Sequence, residues 1–268
     1  MSADIDPRAS VDPTARLADG VKVGPFAFVG PHAEIGPGTV LMPHAVVHGF
    51  TKMGSGNRVH PFACLGGDPQ DLGYRGEEVR LEIGDRNEFR EGVTVSRGTL
   101  KEQRLTRLGS GGLYMACSHV GHDCVVGDGV ILGNSVLLAG HVHVEDRAIL
   151  NGAAAVHHFT TLGRLAYVGG LSRIIMDVPP FMVVEGHPAR VIKVNVVGMK
   201  RAGMSEERIK AVRVAHRALW RSDQLVREKT LDRLERDGTP TEEVLYLVGF
   251  LRRQMAGRQG RAREAVRH

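Results

Sequence analysis

The sequence predicts a mainly β protein, a parallel β-helix of hexapeptide repeats followed by a C-terminal α-helical domain. Three observations carry this. An aliphatic residue recurs every sixth position, from Ile5 through Val11, Leu17, Val23, Val29, Ile35, Leu41, Val47, Met53 and Val59 to Leu65. A small or short residue stands four places after each anchor, as at Ala9, Ala15, Ala27, Ala33, Ala45 and Ala63. The beat ends at Val168, and helical composition follows from Val191. A six-residue period fits neither a 3.6-residue helix nor a simple alternating strand. It fits a short strand followed by a sharp corner, with anchor and small residue both pointing into a narrow interior. Gly, Asn and Asp near the corners tolerate the turn conformations needed there.

Two breaks interrupt the beat. Residues 66–82 (GGDPQDLGYRGEEVRLE) carry Gly, Pro and charge but no hexad, and the phase resumes at Ile83, Phe89 and Val95. Because Leu65 and Ile83 are 18 apart, this segment reads as an external loop replacing one coil. The second break, around Leu100–Arg107, shifts the phase, and the beat runs again from Leu108 to Val168. Loops leaving a rigid scaffold are favoured places for binding groups. The boundary between β-helix and helical domain is expected at 190/191. Ser205 with Glu206 and Glu207 reads as a helix start. Thr239-Pro240-Thr241-Glu242 reads as a capping box with Pro at the first helical position. The last twelve residues, GRQGRAREAVRH, are expected to be frayed.

Charge is uneven. Residues 191–268 hold 18 of the 35 Lys and Arg but only 10 of the 30 Asp and Glu. The ordinary explanation is a solvated helical surface; the sharper one is a basic dock for an acidic partner. Nucleic acid is not expected, because the helical region offers only Trp220, Tyr246 and Phe250 as aromatics. Cys64, Cys117 and Cys124 lack CxxC spacing and suit a reducing cytoplasm. The start MSADIDPRAS has no signal-peptide character, and no run approaches the ~18 apolar residues of a spanning helix, so membrane insertion is not expected.

Chemistry concentrates between residues 119 and 158. His119, His122, His141 and His157 fall close together, and Asp123 directly follows His122. A lone histidine such as His32 or His60 is usually a satisfied corner residue. Four in one block, beside a carboxylate and Gly140, contain the parts of an acyl-transfer site: a base, an orienting acid and an unobstructed backbone N–H. The competing assignment is a zinc site of three histidines shared between subunits. The acid placed directly after His122 suits a dyad better, so no metal and no cofactor are expected.

The runs SHVGHDC, LAGHV, AVHHF, VGG and DVPP resemble the UDP-N-acetylglucosamine 3-O-acyltransferases that begin lipid A synthesis. So do VGPFAFVGPHAEIG, HGFTKMG, QDLGYRGE, EIGDRNEFREGVTVSRGT and NVVGMKRAG, and together these cover nearly the whole chain. The resemblance implies a left-handed, three-sided coil of about 18 residues, in which each residue stacks on the one a coil earlier. His122 would then lie under Gly140, Gly140 under His158, and Asp123 under His141. It further implies His122 as base toward the sugar 3-hydroxyl, Asp123 as its orienting partner, and the Gly140 N–H as oxyanion donor. His119, His141 and His157 would line the sugar and acyl site, with His158 stacked beside them. Asp71 would contact the sugar, Asn195 and Arg201 the uridine diphosphate, and Gly170 would leave the acyl groove open for a long chain. The donor would be a 3-hydroxyacyl group on acyl carrier protein, the acceptor UDP-N-acetylglucosamine, and the assembly a homotrimer.

Four positions depart from the family pattern: Gly73 where Lys is usual, His158 where Gln is usual, Ala202 where Arg is usual, and Val197 where an acidic residue is common. They bear on nucleotide-sugar recognition, not on the base, acid and glycine. Three other functions compete. One is a related hexapeptide acyltransferase using a 3-amino UDP-sugar. Another uses a different acyl or acetyl donor; acetyl-transferring relatives usually lack this helical domain and loop. The third is a His-rich metal-binding protein like the γ-type carbonic anhydrases.

Overall fold

The computed structural model describes residues 2–220, 224–236 and 240–266. It is a left-handed parallel β-helix with a small C-terminal helical region. Among the described residues the short strands form three sheets of 11, 9 and 8 members. We call these faces 1, 2 and 3, starting from Asp4–Ile5, Ser10–Val11 and Arg16–Leu17 respectively. Each strand pairs in parallel with the strand one coil later, as Lys22 with Val40, Phe28 with Val46 and His119 with Leu137. The anchors and their small partners fill the interior: Val29, Val47, Leu65, Val120 and Leu138 are fully buried, and so are Ala33, Ala45 and Ala63. This single column of apolar side chains is continuous, so each coil is held mainly by its neighbours.

The repeat runs one side further than expected, since Arg173–Ile174 forms a strand on face 2 and Ile174 is 2% exposed. The first break also differs from expectation. Leu65 pairs with Val95 and Ile83 with Met53, so Leu65 and Ile83 belong to successive faces and do not stack. Met53 to Ile83 spans 30 residues, which is 12 more than a coil of 18. The segment is therefore an insertion of 12, narrower than 66–82, because Cys64–Gly67 and Arg80–Ile83 are strands. At the second break Val95 pairs with Val120, 25 residues on, an insertion of 7. Both insertions leave at the corner between faces 2 and 3. One coil later that same corner carries His122 and Asp123.

Corner turns demand a left-handed residue. Asp123 (φ 58°), His141 (φ 65°) and Phe159 (φ 61°) form one such column. Asp tolerates this conformation better than most residues do. The fold thus uses Asp123 as turn former and presents its carboxylate at the corner.

The β-helix is closed by the antiparallel hairpin Met182–Gly186 and Ala189–Val194. Helices α1 (Val196–Arg201), α2 (Glu206–Trp220), α3 (Gln224–Arg236) and α4 (Glu242–Ala256) follow. Their core of Met199, Ile209, Val212, Leu219, Leu247 and Leu251 packs against Phe181 and Met182 at the coil end. Ser205 does cap α2, accepting from the Arg208 N–H at 3.4 Å. The start of α4 is later than expected: the helix is capped at Thr241, without a side-chain cap bond, so Pro240 precedes the helix. Thr239 lies outside the described residues.

The tail is docked, not frayed, as far as residue 266; residues 267 and 268 lie outside the described residues. Asp177 N–H donates to Gly260 O at 2.8 Å, and the Asp177 carboxyl accepts from Ala262 N–H at 2.8 Å and Thr161 N–H at 2.7 Å. Arg261 donates to Ile175 O, and a 3-10 turn spans Arg263–Val266. Burial pushes the Asp177 carboxyl up to about 6, outweighing the two N–H donors. A raised folded value means the native state holds this proton more tightly than the unfolded chain. The resulting stability is fully present below the unfolded value near 3.8 and is lost as pH rises through about 6, on the order of 3 kcal/mol. Asp177→Asn should therefore gain on the wild type in melting temperature between pH 4 and pH 7. Parallel curves for the two proteins would contradict this.

Candidate active site

The corner between faces 2 and 3 brings His122, Asp123, Gly140, His141 and Asp71 together. His122 and Asp123 are both buried, and His122 Nδ1 lies 2.8 Å from Asp123 Oδ2. Asp123 is held from the other side by the second insertion: Thr99 N–H donates to Oδ1 at 2.8 Å and Thr99 Oγ1 to Oδ2 at 2.6 Å. Burial pushes the Asp123 carboxyl up, but bonds from His122 and Thr99 prevail and hold it below its ordinary value. Asp123 therefore stays ionised and takes the proton-bearing Nδ1 of His122. That leaves Nε2 as acceptor, facing Asp71 Oδ2 at 3.9 Å.

Gly140 lies directly over the ring. A Cβ placed on it would stand 2.6 Å from His122 Nε2 and Cε1, closer than real contacts allow. His141 N–H donates to His122 O at 2.9 Å, fixing the stacking of the two coils. The His141 ring meets His122 edge-on at 4.9 Å and stacks on Phe159 at 4.4 Å. His119 is bonded to Thr94 Oγ1 at 2.8 Å, and burial lowers its basicity. His157 and His158 meet edge-on at 5.6 Å, and burial lowers the basicity of His158.

A groove of about 680 Å³ runs across face 2 from this corner, lined by Thr94, His119, Leu137, Ala155, His157 and Ile175 among others. Gly170 stands at the far edge of face 2, where a Cβ would meet only Gly152 O, at 3.3 Å. Asp71 projects from the first insertion, accepting from Gly73 N–H at 2.7 Å and from Lys101 Nζ at 2.5 Å. The Lys101 bond is the largest influence holding the Asp71 carboxyl below its ordinary range. Lys101 runs above Gly73, its Nζ 3.9 Å from where a Gly73 Cβ would be.

Asn195 and Arg201 are not part of this cluster in the described chain. Asn195 caps α1, accepting from Gly198 N–H at 2.9 Å and donating to Leu165 O at 2.8 Å. Arg201 is exposed in the last turn of α1. The sequence reading missed Thr99, Lys101, Glu102 and Arg263, all of which touch the cluster. The phase break at residues 100–107 was the available signal for Lys101 and Glu102.

His122, Asp123 and His141 bring their ligand atoms within 4.8 Å of one another, which is the spacing of a metal set. It is two imidazoles and a carboxylate, not three histidines, and His119 is turned to Thr94. Chemically the arrangement fits a general base: an oriented imidazole with a free Nε2, a bare backbone above it, and an apolar groove leading away.

Comparison with known proteins places these features in a family. A family model described as UDP N-acetylglucosamine O-acyltransferase, domain 2, matches residues 177–260. The acyl-[acyl-carrier-protein]--UDP-N-acetylglucosamine O-acyltransferase of Anaeromyxobacter sp. strain Fw109-5 is 50% identical over 209 residues, covering 78% of this chain and 81% of that protein. The enzyme of the same name from Pseudomonas syringae pv. tomato is 47% identical over 243 residues, covering 91% and 94%. Among solved structures, LpxA from Acinetobacter baumannii aligns with a TM-score of 0.87 at 39% identity, covering 91% of this chain and 95% of that one. The Arabidopsis UDP-N-acetylglucosamine acyltransferase aligns with a TM-score of 0.87 at 33% identity, covering 94% of each chain.

Proposed function

This chain belongs to the acyl-[acyl-carrier-protein]--UDP-N-acetylglucosamine O-acyltransferase family, and from that premise we propose how its residues carry the reaction. A 3-hydroxyacyl chain passes from acyl carrier protein to the 3-hydroxyl of UDP-N-acetylglucosamine, the first step of lipid A biosynthesis. One observation carries the assignment of the base: the Nδ1 edge of His122 is committed to Asp123, while Nε2 faces Asp71 beneath Gly140.

The acceptor hydroxyl sits between His122 Nε2 and Asp71. His122 takes its proton as the oxygen attacks the thioester carbonyl. The Gly140 N–H donates to the developing oxyanion, and the carrier thiol leaves with the proton returned by His122. His119, His141, His157 and His158 line the approach of sugar and acyl chain. Asn195 and Arg201 serve the uridine diphosphate from a neighbouring subunit of a homotrimer. The β-helix of residues 1–190 carries the chemistry, and the basic residues of 191–268 receive the acidic carrier protein. Among the described residues no helix is long and apolar enough to cross a membrane. The proposed setting is the cytoplasm.

The assay that tests this presents a panel of 3-hydroxyacyl carrier proteins with both 3-hydroxy and 3-amino UDP-sugars. Transfer to the 3-hydroxy sugar should dominate; preference for the amine would make this an N-acylating relative. The panel also tests chain length. The family resemblance at Gly170 implies a donor of about fourteen carbons in preference to one of about ten. Gly170→Met should reverse that order, since each methylene excluded from the groove forfeits roughly 0.8 kcal/mol. An unchanged preference would place the ruler elsewhere.

A further inference from the structure

The catalytic corner is bordered by an ion pair with one partner in the second insertion and the other in the C-terminal tail. Glu102 Oε1 lies 3.0 Å from His141 Nδ1. Arg263 holds both oxygens of Glu102, at 3.0 and 3.2 Å, and also donates to His141 O. The tail brings Arg263 there through its bonds to Asp177 and Ile175. His141 is 5% exposed, so its Nδ1–H needs an acceptor inside the protein.

Two carboxylates compete for that proton. Glu102 is at 3.0 Å, and the other is Asp123 Oδ2 at 3.9 Å. Asp123 Oδ2 is the same oxygen that binds His122 Nδ1 and Thr99 Oγ1. A small tilt of His141 would add a third donor to it and weaken its hold on His122.

We propose that Glu102 and Arg263 are positioning residues for the transfer reaction. Glu102, pinned by Arg263 Nη2, holds the His141 Nδ1–H away from Asp123 and so reserves Asp123 Oδ2 for His122. The C-terminal tail is thereby a working part of the active site. This rests on the His122–Asp123 dyad assigned above. Arg263 spans the two groups because its two terminal nitrogens point apart, Nη2 to the Glu102 carboxylate and Nη1 to His141 O, a reach the single ammonium of Lys lacks.

The experiment measures kcat, both KM values and melting temperature for Glu102→Ala, Glu102→Gln and Arg263→Ala, alone and with Asp123→Asn. Glu102→Ala should lower kcat about tenfold, with KM values within about twofold of wild type, the size expected for one charge-assisted hydrogen bond. Glu102→Gln keeps an oxygen that accepts from Nδ1–H and should recover most of the rate. Arg263→Ala should follow Glu102→Ala with a smaller loss. In the Asp123→Asn background Glu102→Ala should add little, because the oxygen it protects is already an amide oxygen. Additive losses, or a loss confined to KM, would overturn the proposal and leave the dyad standing. A wild-type rate in Asp123→Asn alone would overturn the dyad and the proposal with it. Unchanged melting temperatures exclude a fold defect as the cause.

Discussion

His122→Ala is expected to lower kcat by about 10²–10⁴-fold while leaving UDP-N-acetylglucosamine affinity and the fold nearly unchanged. The ring makes no core contact that a β-helix coil needs; the coil is held by Val120, Leu138 and their stack. What is lost is the proposed acceptor for the sugar proton. The result is read by steady-state kinetics beside a direct binding measurement for the nucleotide sugar. A near wild-type rate with intact binding would remove His122 from the role of base. Asp123→Asn should lose less, because the ring remains but its tautomer and orientation are no longer fixed by a carboxylate.

Gly140→Ala is expected to cost at least about 10²-fold in kcat, although it adds one methyl group. The added Cβ would stand 2.6 Å from His122 Nε2, so the ring must swing away from Asp123 or the coil must part. A displacement near 1 Å at the reacting group is enough for a loss of this order. The methyl would also crowd the N–H proposed to face the developing oxyanion. Kinetics with a circular-dichroism check of fold test it. Normal turnover in a folded Gly140→Ala protein would mean that the ring and backbone are not in the juxtaposition described.

Much of this geometry was readable in the hexads. The rule that residues 18 apart stack, with the family resemblance supplying the coil length, put Gly140 over His122 and His141 over Asp123. The structure brings Gly140 against the His122 ring and His141 Nδ1 to 3.9 Å from Asp123 Oδ2. The size of the first insertion was hidden for an arithmetical reason. Twelve residues are two hexads, so the anchors resume in phase and Ile83 imitates the next coil after Leu65. Seven residues are not a multiple of six, so the second insertion announced itself by a shift. Within it, Thr99, Lys101 and Glu102 obey no period, and only the folded corner reveals that they bracket Asp123, Asp71 and His141. The tail was misjudged because Gly and Arg suggest fraying by composition. Its order comes from Asp177 and the Ile175 carbonyl, more than eighty residues away. The helix start at Thr241 was misplaced because Thr239 offers the same residue type two positions earlier.

The most direct test of the account mixes purified protein with a 3-hydroxyacyl carrier protein and UDP-N-acetylglucosamine and locates the acyl group on the product by mass spectrometry and NMR. One ester is expected, at the sugar 3-oxygen, formed by the wild type and nearly absent with His122→Ala. No transfer to this acceptor, an acyl group at another position, or equal product from His122→Ala would contradict it.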